Sequence, residues 1–151
     1  MLNVKEIDTP LGSVFLGADS KGIAFLSFDE CQTTKSNTLL DKAAIQLKEY
    51  FEGKRKEFDL ELSFSGTAFE LESWNALMQI PYGKIISYKE QAGLLGDTKK
   101  ARAIGLANGK NPLPIIIPCH RVVRSDGQLG GYSCGIEKKN FLLDLEKKGL
   151  D

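Results

Sequence analysis

Histidine and tryptophan each occur once in these 151 residues, methionine twice and cysteine three times. One histidine with no closely spaced pair of cysteines leaves no ligand set for zinc, so no metal is expected. Cys31, Cys119 and Cys134 are odd in number and far apart. That excludes a disulfide framework and points to a reducing interior. No apolar run reaches the length of about 18 residues that a membrane span needs. The opening Met1-Leu2-Asn3-Val4-Lys5-Glu6 lacks the apolar core of a secretory signal, so a cytoplasmic protein without a membrane partner is the expectation. Net charge is also lacking, because 20 Lys and Arg balance 20 Asp and Glu. The balance is local rather than uniform. Residues 1–75 carry a net charge of −5 and residues 76–151 a net charge of +5. A basic half on a neutral chain suits a polyanionic partner for that half alone, or is a chance segregation of solvated charges.

What is present centres on Ile115-Ile116-Ile117-Pro118-Cys119-His120-Arg121-Val122-Val123. β-branched runs of this kind predict buried strand. Pro118 lacks an N–H and fixes its own φ, so it ends the first run. A thiol and the sole imidazole therefore sit side by side in apolar surroundings. Adjacent side chains of a strand point to opposite faces, so contact between Cys119 and His120 needs a turn at Pro118-Cys119 or a bridging water. A third group must orient the imidazole, and Glu146 is the candidate. The same residues also suit a buried small hydrophobe beside a satisfied histidine.

Along the chain, Asn3 to Asp8, Ser13 to Gly17 and Gly22 to Phe28 predict an antiparallel meander, with turns at Thr9-Pro10-Leu11-Gly12 and Asp19-Ser20-Lys21-Gly22. Leu39, Leu40, Ala43, Ala44, Leu47 and Phe51 recur at helical spacing over 38–53, and Phe58 to Phe64 alternates like one more strand. Cys31 reads as an incidental free thiol. Ser65-Gly66-Thr67 predicts the joint between two domains, 1–66 and 67–151. Thr67 and Glu70 form a capping-box pattern for a helix whose core face includes Trp74 and Met78.

Ser87 with Glu90 predicts a second cap, and Gly96-Asp97 a tight turn. Thr98 is placed to cap a helix running from Ala101 to Asn108-Gly109. Two short helices about a glycine turn make a helix-turn-helix. Ala101, Ala103, Gly105 and Ala107 keep the second helix thin, and Lys99, Lys100, Arg102 and Lys110 make it basic. Nucleic-acid binding is one reading; two helices that merely pack together is the other. A glycine-rich loop, Arg124 to Gly135, precedes a closing helix, Glu137 to Lys148, with Phe141, Leu142 and Leu145 facing in.

The order of Ile80-Pro81-Tyr82-Gly83, Ser87-Tyr88, Ala101-Arg102-Ala103-Ile104-Gly105, Asn108, Asn111-Pro112, Ile117-Pro118-Cys119-His120-Arg121-Val122, Gly131-Tyr132-Ser133, Lys139 and Leu142-Leu143 with Glu146 resembles the methylated-DNA–protein-cysteine methyltransferases, or O6-alkylguanine-DNA alkyltransferases. The likeness is close over 67–148 and architectural over 1–64. It implies an α+β protein: a strand-rich, ribonuclease H-like N-terminal α/β domain and a mainly helical C-terminal domain with the helix-turn-helix. It implies single-turnover transfer of an alkyl group from O6-alkylguanine in double-stranded DNA to Cys119, by a monomer with no cofactor. His120, oriented by Glu146, would activate Cys119 through water. Tyr88 would donate a proton to the leaving purine, and Asn111 would act as a hinge. Arg102 would replace the extruded guanine, with Ala101, Ala103, Gly105, Lys99, Lys100, Ser87 and Arg121 at the DNA. Tyr132, Ser133, Lys139, Val122 and Cys134 would form the base pocket.

Cys134 stands where the family usually has glycine. Its side chain would narrow the pocket for bulky adducts, or strain the backbone if φ is positive there. Three other functions fit parts of the pattern: a thiol hydrolase using Cys119, His120 and Glu146 with Gly130-Gly131 as oxyanion donors, a non-enzymatic damage-recognition protein, and a transcriptional regulator.

Overall fold

The computed structural model describes residues 2–150. The chain divides into two compact units, 1–64 and 65–151. The architecture is α+β, with the strands concentrated in the first unit and the helices in the second.

In the first unit, β1 (Asn3–Thr9), β2 (Gly12–Ala18) and β3 (Ile23–Ser27) form an antiparallel meander in the order β1-β2-β3. β2 is central, and Val14, Phe15, Leu16 and Ala18 are all buried. Gly17 leaves room for the Phe25 ring, which lies across the strands where a Cβ would stand. α1 (Thr38–Phe51) is capped by Asn37, whose side chain accepts from the Leu40 N–H at 2.9 Å. Its buried face, Leu40, Ala43, Leu47 and Tyr50, packs on β1 and β2.

The strand expected at Phe58 to Phe64 is a single bridge, with Leu62 pairing parallel to Ile23. The Gln46 side chain takes both the N–H and the carbonyl of Asp59, at 2.9 and 3.0 Å. The segment is thus tied to α1 before it reaches the sheet.

The second unit begins with α2 (Ala68–Met78), held by the complete Thr67–Glu70 capping box. Trp74 is buried and donates its indole N–H to the Ala107 carbonyl at 2.9 Å. Met78, expected in the core, is 37% exposed because it lies at the last turn of the helix. β4 (Ile86–Ser87) runs into α3 (Tyr88–Leu94), with Ser87 and Glu90 closing the second capping box. Asp97, not Thr98, makes the next cap, accepting from the Lys99 N–H at 2.9 Å. A 3-10 turn over Thr98–Lys100 leads into α4 (Ala101–Gly109). Ala92 and Ile104 are sealed where α3 and α4 pack together.

The isoleucine run is not a strand. Leu113 to Ile117 folds into a turn closed by the Ile117 N–H on the Leu113 carbonyl at 2.8 Å. A strand would send alternate isoleucines to opposite faces; the turn puts Ile115, Ile116 and Ile117 into one core at 1, 8 and 0% exposure. Ile115 adopts φ of 77°, a region that β-branched residues rarely enter. Asn111 holds the turn from inside, accepting from the Leu113 N–H at 2.9 Å and donating to the Ile117 carbonyl at 2.8 Å. Cys119–Arg121 form a 3-10 turn, and only Val122–Val123 is strand, β5, parallel to β4. α5 (Ile136–Gly149) closes the unit with Leu142 fully buried, while Phe141, expected to face in, is 38% exposed.

Candidate active site

The 3-10 turn after Pro118 aims Cys119 and His120 without the alternation of a strand. Cys119 is 5% exposed and lines an open cavity of about 760 Å³. Tyr88 from α3 and Ala101, Arg102 and Gly105 from α4 line another part of its wall, and Gly130 to Ser133 complete it. The cavity is mainly apolar; the Cys119 thiol, the Tyr88 and Tyr132 phenols, Arg102 and Arg124, Ser133 and Asn108 supply its polar groups.

His120 is fully buried behind the thiol. Its Nε2 lies 2.6 Å from Glu146 Oε2, which fixes the proton on Nε2 and leaves Nδ1 as the acceptor. Nδ1 has no hydrogen-bond partner among the described residues. Glu146 is further bound by Arg121, with Nε to Oε1 at 2.8 Å and Nη2 to Oε2 at 3.0 Å. The Gly83 N–H adds a bond to Oε1 at 3.1 Å. Burial alone would raise the Glu146 pKa; the hydrogen bonds and charges of His120 and Arg121 more than offset it and hold the carboxyl at about 2. Burial lowers the His120 pKa against the pull of Glu146, and the charges of Arg121 and Lys139 add to the lowering. The resting imidazole is therefore neutral, with a free lone pair.

Burial also pushes the Cys119 thiol up to about 11, while Asn111 and the Lys139 charge pull the other way. At neutral pH the resting pair is thiol and imidazole, and the thiolate forms only as its proton leaves. Tyr88 is raised by burial and by the nearby Cys119, which keeps its phenol protonated.

Lys139 is fully buried on α5 and donates three hydrogen bonds, to the carbonyls of Val122 at 2.6 Å, Leu129 at 2.5 Å and Gly131 at 3.1 Å. Burial lowers its pKa to about 8. It ties the cavity rim to β5.

Two family models match the chain. One, described as the 6-O-methylguanine DNA methyltransferase DNA-binding domain, matches residues 68–148; the other, the ribonuclease-like domain of the same family, matches residues 5–64. A methylated-DNA–protein-cysteine methyltransferase of Methanosarcina barkeri is 43% identical, over 95% of this chain and 96% of that protein. The inducible enzyme of that name from Bacillus subtilis is 41% identical, over 91% and 80%. The crystal structure of Mycobacterium tuberculosis OGT in complex with DNA superposes with a TM-score of 0.91 at 41% identity, covering 97% of this chain and 94% of that one. This chain belongs to the 6-O-methylguanine DNA methyltransferase family.

With the family in view, the expected site residues fall into three groups. His120 is bonded to Glu146, Asn111 acts on the Cys119 thiol, and Tyr88 stands at the cavity that Cys119 lines, its hydroxyl 3.4 Å from the Gly131 carbonyl. Arg102, Ala103, Lys99 and Lys100 are exposed on α4 or the turn before it; Ala101 and Gly105 are half-buried beside the cavity, and Ser87 serves as a cap. The rest differ from expectation. Arg121, expected at the DNA, is 7% exposed and spends its guanidinium on Glu146 and on the Ile80 carbonyl, at 2.6 Å. It orders the centre and does not face a partner.

Tyr132 and Ser133 line the cavity, but Val122, Lys139 and Cys134 do not. Val122 and Lys139 stand behind the wall. Cys134 has no positive φ; that conformation falls on Gly135, at 109°. The expected backbone strain is therefore absent.

The sequence reading missed the Gln91–Asn108 pair. The two amides exchange hydrogen bonds at 3.0 and 2.8 Å, and Gln91 also donates to the Ser73 carbonyl at 3.1 Å. The pair braces α3 against α4, and Asn108 reaches the cavity wall. A glutamine three residues after Tyr88, on the face shared with Ala92, was the available signal.

Proposed function

We propose that this protein repairs DNA by taking the methyl group of O6-methylguanine onto Cys119, irreversibly and once per molecule. Membership of the family and likeness to a DNA-bound relative support the activity. The observation that carries the chemistry is a buried thiol opening on a cavity, next to an imidazole whose Nε2 proton is fixed and whose Nδ1 lone pair is available.

His120 Nδ1 accepts the thiol proton through a bridging water. The Cys119 sulfur then attacks the methyl carbon, the carbon–oxygen bond breaks, and the purine leaves with the bonding electrons. Tyr88 supplies a proton to that purine. The product is a thioether, which offers no leaving group at neutral pH, and the displacement requires no cofactor.

A guanine within a duplex hides its O6 substituent, so the nucleotide must leave the stack to reach the cavity. α4 lies in the minor groove, its small residues allowing close approach, and Arg102 occupies the gap. Phosphate contacts from Lys99 and Lys100 give affinity without sequence preference. The protein works as a monomer in the cytoplasm; no helix among the described residues is long and apolar enough to cross a membrane.

A hydrolase built on the same three residues would turn over. Incubation with a tenfold excess of O6-methylguanine duplex decides the matter. Transfer that stops at one methyl per protein supports this reading, and continued product formation rejects it.

A further inference from the structure

Leu106 is 68% exposed, more than any other large apolar side chain among the described residues. It lies on α4 in the stripe of Lys99, Arg102, Ala103, Gly109 and Lys110, every one of them exposed. Residues three and four apart on a helix are neighbours, so Leu106 is bordered by Arg102, Ala103, Gly109 and Lys110. Between Thr98 and Lys110 there are four cations and no carboxylate. One of the four, Lys100, sits over the Phe69 ring at 5.7 Å and keeps its charge on the same surface as Lys99, Arg102 and Lys110. By contrast Ile45 on α1, 61% exposed, is bordered by Asp41, Lys42, Lys48 and Glu49, a mixed and solvated surface.

An exposed leucine ringed by cations and small residues suits a partner that is anionic at its edges and apolar between them. The minor groove of DNA is such a surface, with phosphates on both rims and sugar and base faces in the floor. We propose that Leu106 is a second DNA-inserting side chain, an apolar wedge that enters the minor groove beside Arg102. It rests on the reading of α4 as the helix that enters DNA. One helical turn rises about 5.4 Å, against about 3.4 Å per base step. Leu106 therefore meets the duplex one to two steps from the flipped nucleotide. There it holds open a step that would otherwise restack and pull the guanine back. Arg102 lines the cavity and Leu106 does not, so their tasks differ: Arg102 fills the vacancy and Leu106 spreads its neighbour.

The test uses the full chain with a short O6-methylguanine duplex and, separately, free O6-methylguanine base. Leu106→Ala keeps a good helix former at an exposed position, so folding is retained. The expected result is a loss of duplex affinity of about tenfold or more, the value of one apolar side chain withdrawn from contact. The salt dependence stays that of wild type, whereas Lys99→Ala lowers its slope by about one. Transfer from duplex slows with the affinity, transfer from the free base keeps its wild-type rate, and Leu106→Met restores both duplex readouts. Duplex affinity within twofold of wild type overturns the proposal, as does an equal slowing with the free base. Arg102→Ala is run alongside. Should it bind and react with duplex like wild type, α4 is not the inserting helix, and the underlying reading falls together with the wedge.

Discussion

Arg121 grips Glu146 through two parallel hydrogen bonds, Nε to Oε1 at 2.8 Å and Nη2 to Oε2 at 3.0 Å, entirely inside the second unit. This pairing sets the charge state of Glu146, whose carboxyl pKa burial alone would raise and the bonds from His120 and Arg121 hold at about 2. His120 stays neutral chiefly because it is buried; Glu146 pulls it toward the charged form, and the Arg121 charge works against that pull. Arg121 thus supports the imidazole through the carboxylate that both of them bind.

Breaking this pair is expected to cost stability as well as activity. Glu146→Gln leaves the Arg121 guanidinium buried without its counter-charge, a change of about 3–5 kcal/mol. Arg121→Ala strands Glu146 at a similar cost. The check is chemical denaturation of both variants. In Arg121→Ala, the salt slope of DNA binding should match wild type in the fraction that remains folded. A slope lowered by one phosphate contact would show that Arg121 faces DNA after all.

Acid should unfold the protein in two overlapping stages. Both His120 and Glu146 have folded pKa values below their unfolded ones. Groups of that sign contribute stability that is complete above the unfolded pKa and is lost as pH falls toward the folded one. The His120 contribution begins to fade below pH 6.5, and that of Glu146 fades between 4.5 and about 2. For Glu146 the total is on the order of 3 kcal/mol. Denaturation midpoints measured from pH 7 to pH 3 should fall steadily in wild type and more shallowly in Glu146→Gln. A flat profile would contradict the assigned charge states.

Ile115 should tolerate glycine better than its neighbour does. Both Ile115 and Ile117 are buried, so each loses its side chain's packing on substitution. Only Ile115 holds a positive φ, and glycine there relieves about 1–2 kcal/mol of backbone strain. Ile115→Gly is therefore expected to be that much less destabilised than Ile117→Gly in paired urea titrations. Equal losses would mean that the turn is unstrained.

Cys134 should not decide which adducts are accepted. It lies outside the cavity lining and carries no left-handed backbone conformation. Cys134→Gly is expected to keep the wild-type ratio of benzyl to methyl transfer rates. A benzyl rate that rises severalfold in the variant would return Cys134 to the pocket.

The sequence was most legible where structure is local. The Thr67–Glu70 and Ser87–Glu90 capping boxes span three residues each, and both form as expected. The short runs and turn-like separators of residues 3–28 likewise correspond to the meander. Reading failed where a distant or unusual partner decides. Three isoleucines favour strand, yet Asn111 bonds both ends of their segment and folds it into a turn that no β-propensity foretells. Gln46 holds Asp59 to α1, so only residues 61–63 of the expected strand pair with β3. The pairing of His120 with Glu146 follows from the need of a buried imidazole for a partner, and the two bond at 2.6 Å. The resemblance puts Arg121 at the DNA; its carboxylate partner lies 25 residues away in sequence, where no local pattern points to it.

The central claim is that Cys119 receives the alkyl group and retains it. Mass spectrometry of peptides from protein incubated with O6-methylguanine duplex tests this most directly. The account predicts one added methyl on the peptide containing Cys119, none on those containing Cys31 or Cys134, and no transfer by Cys119→Ala despite near-normal DNA binding. A methyl on another residue, or an unmodified Cys119 after the DNA has been repaired, would contradict it.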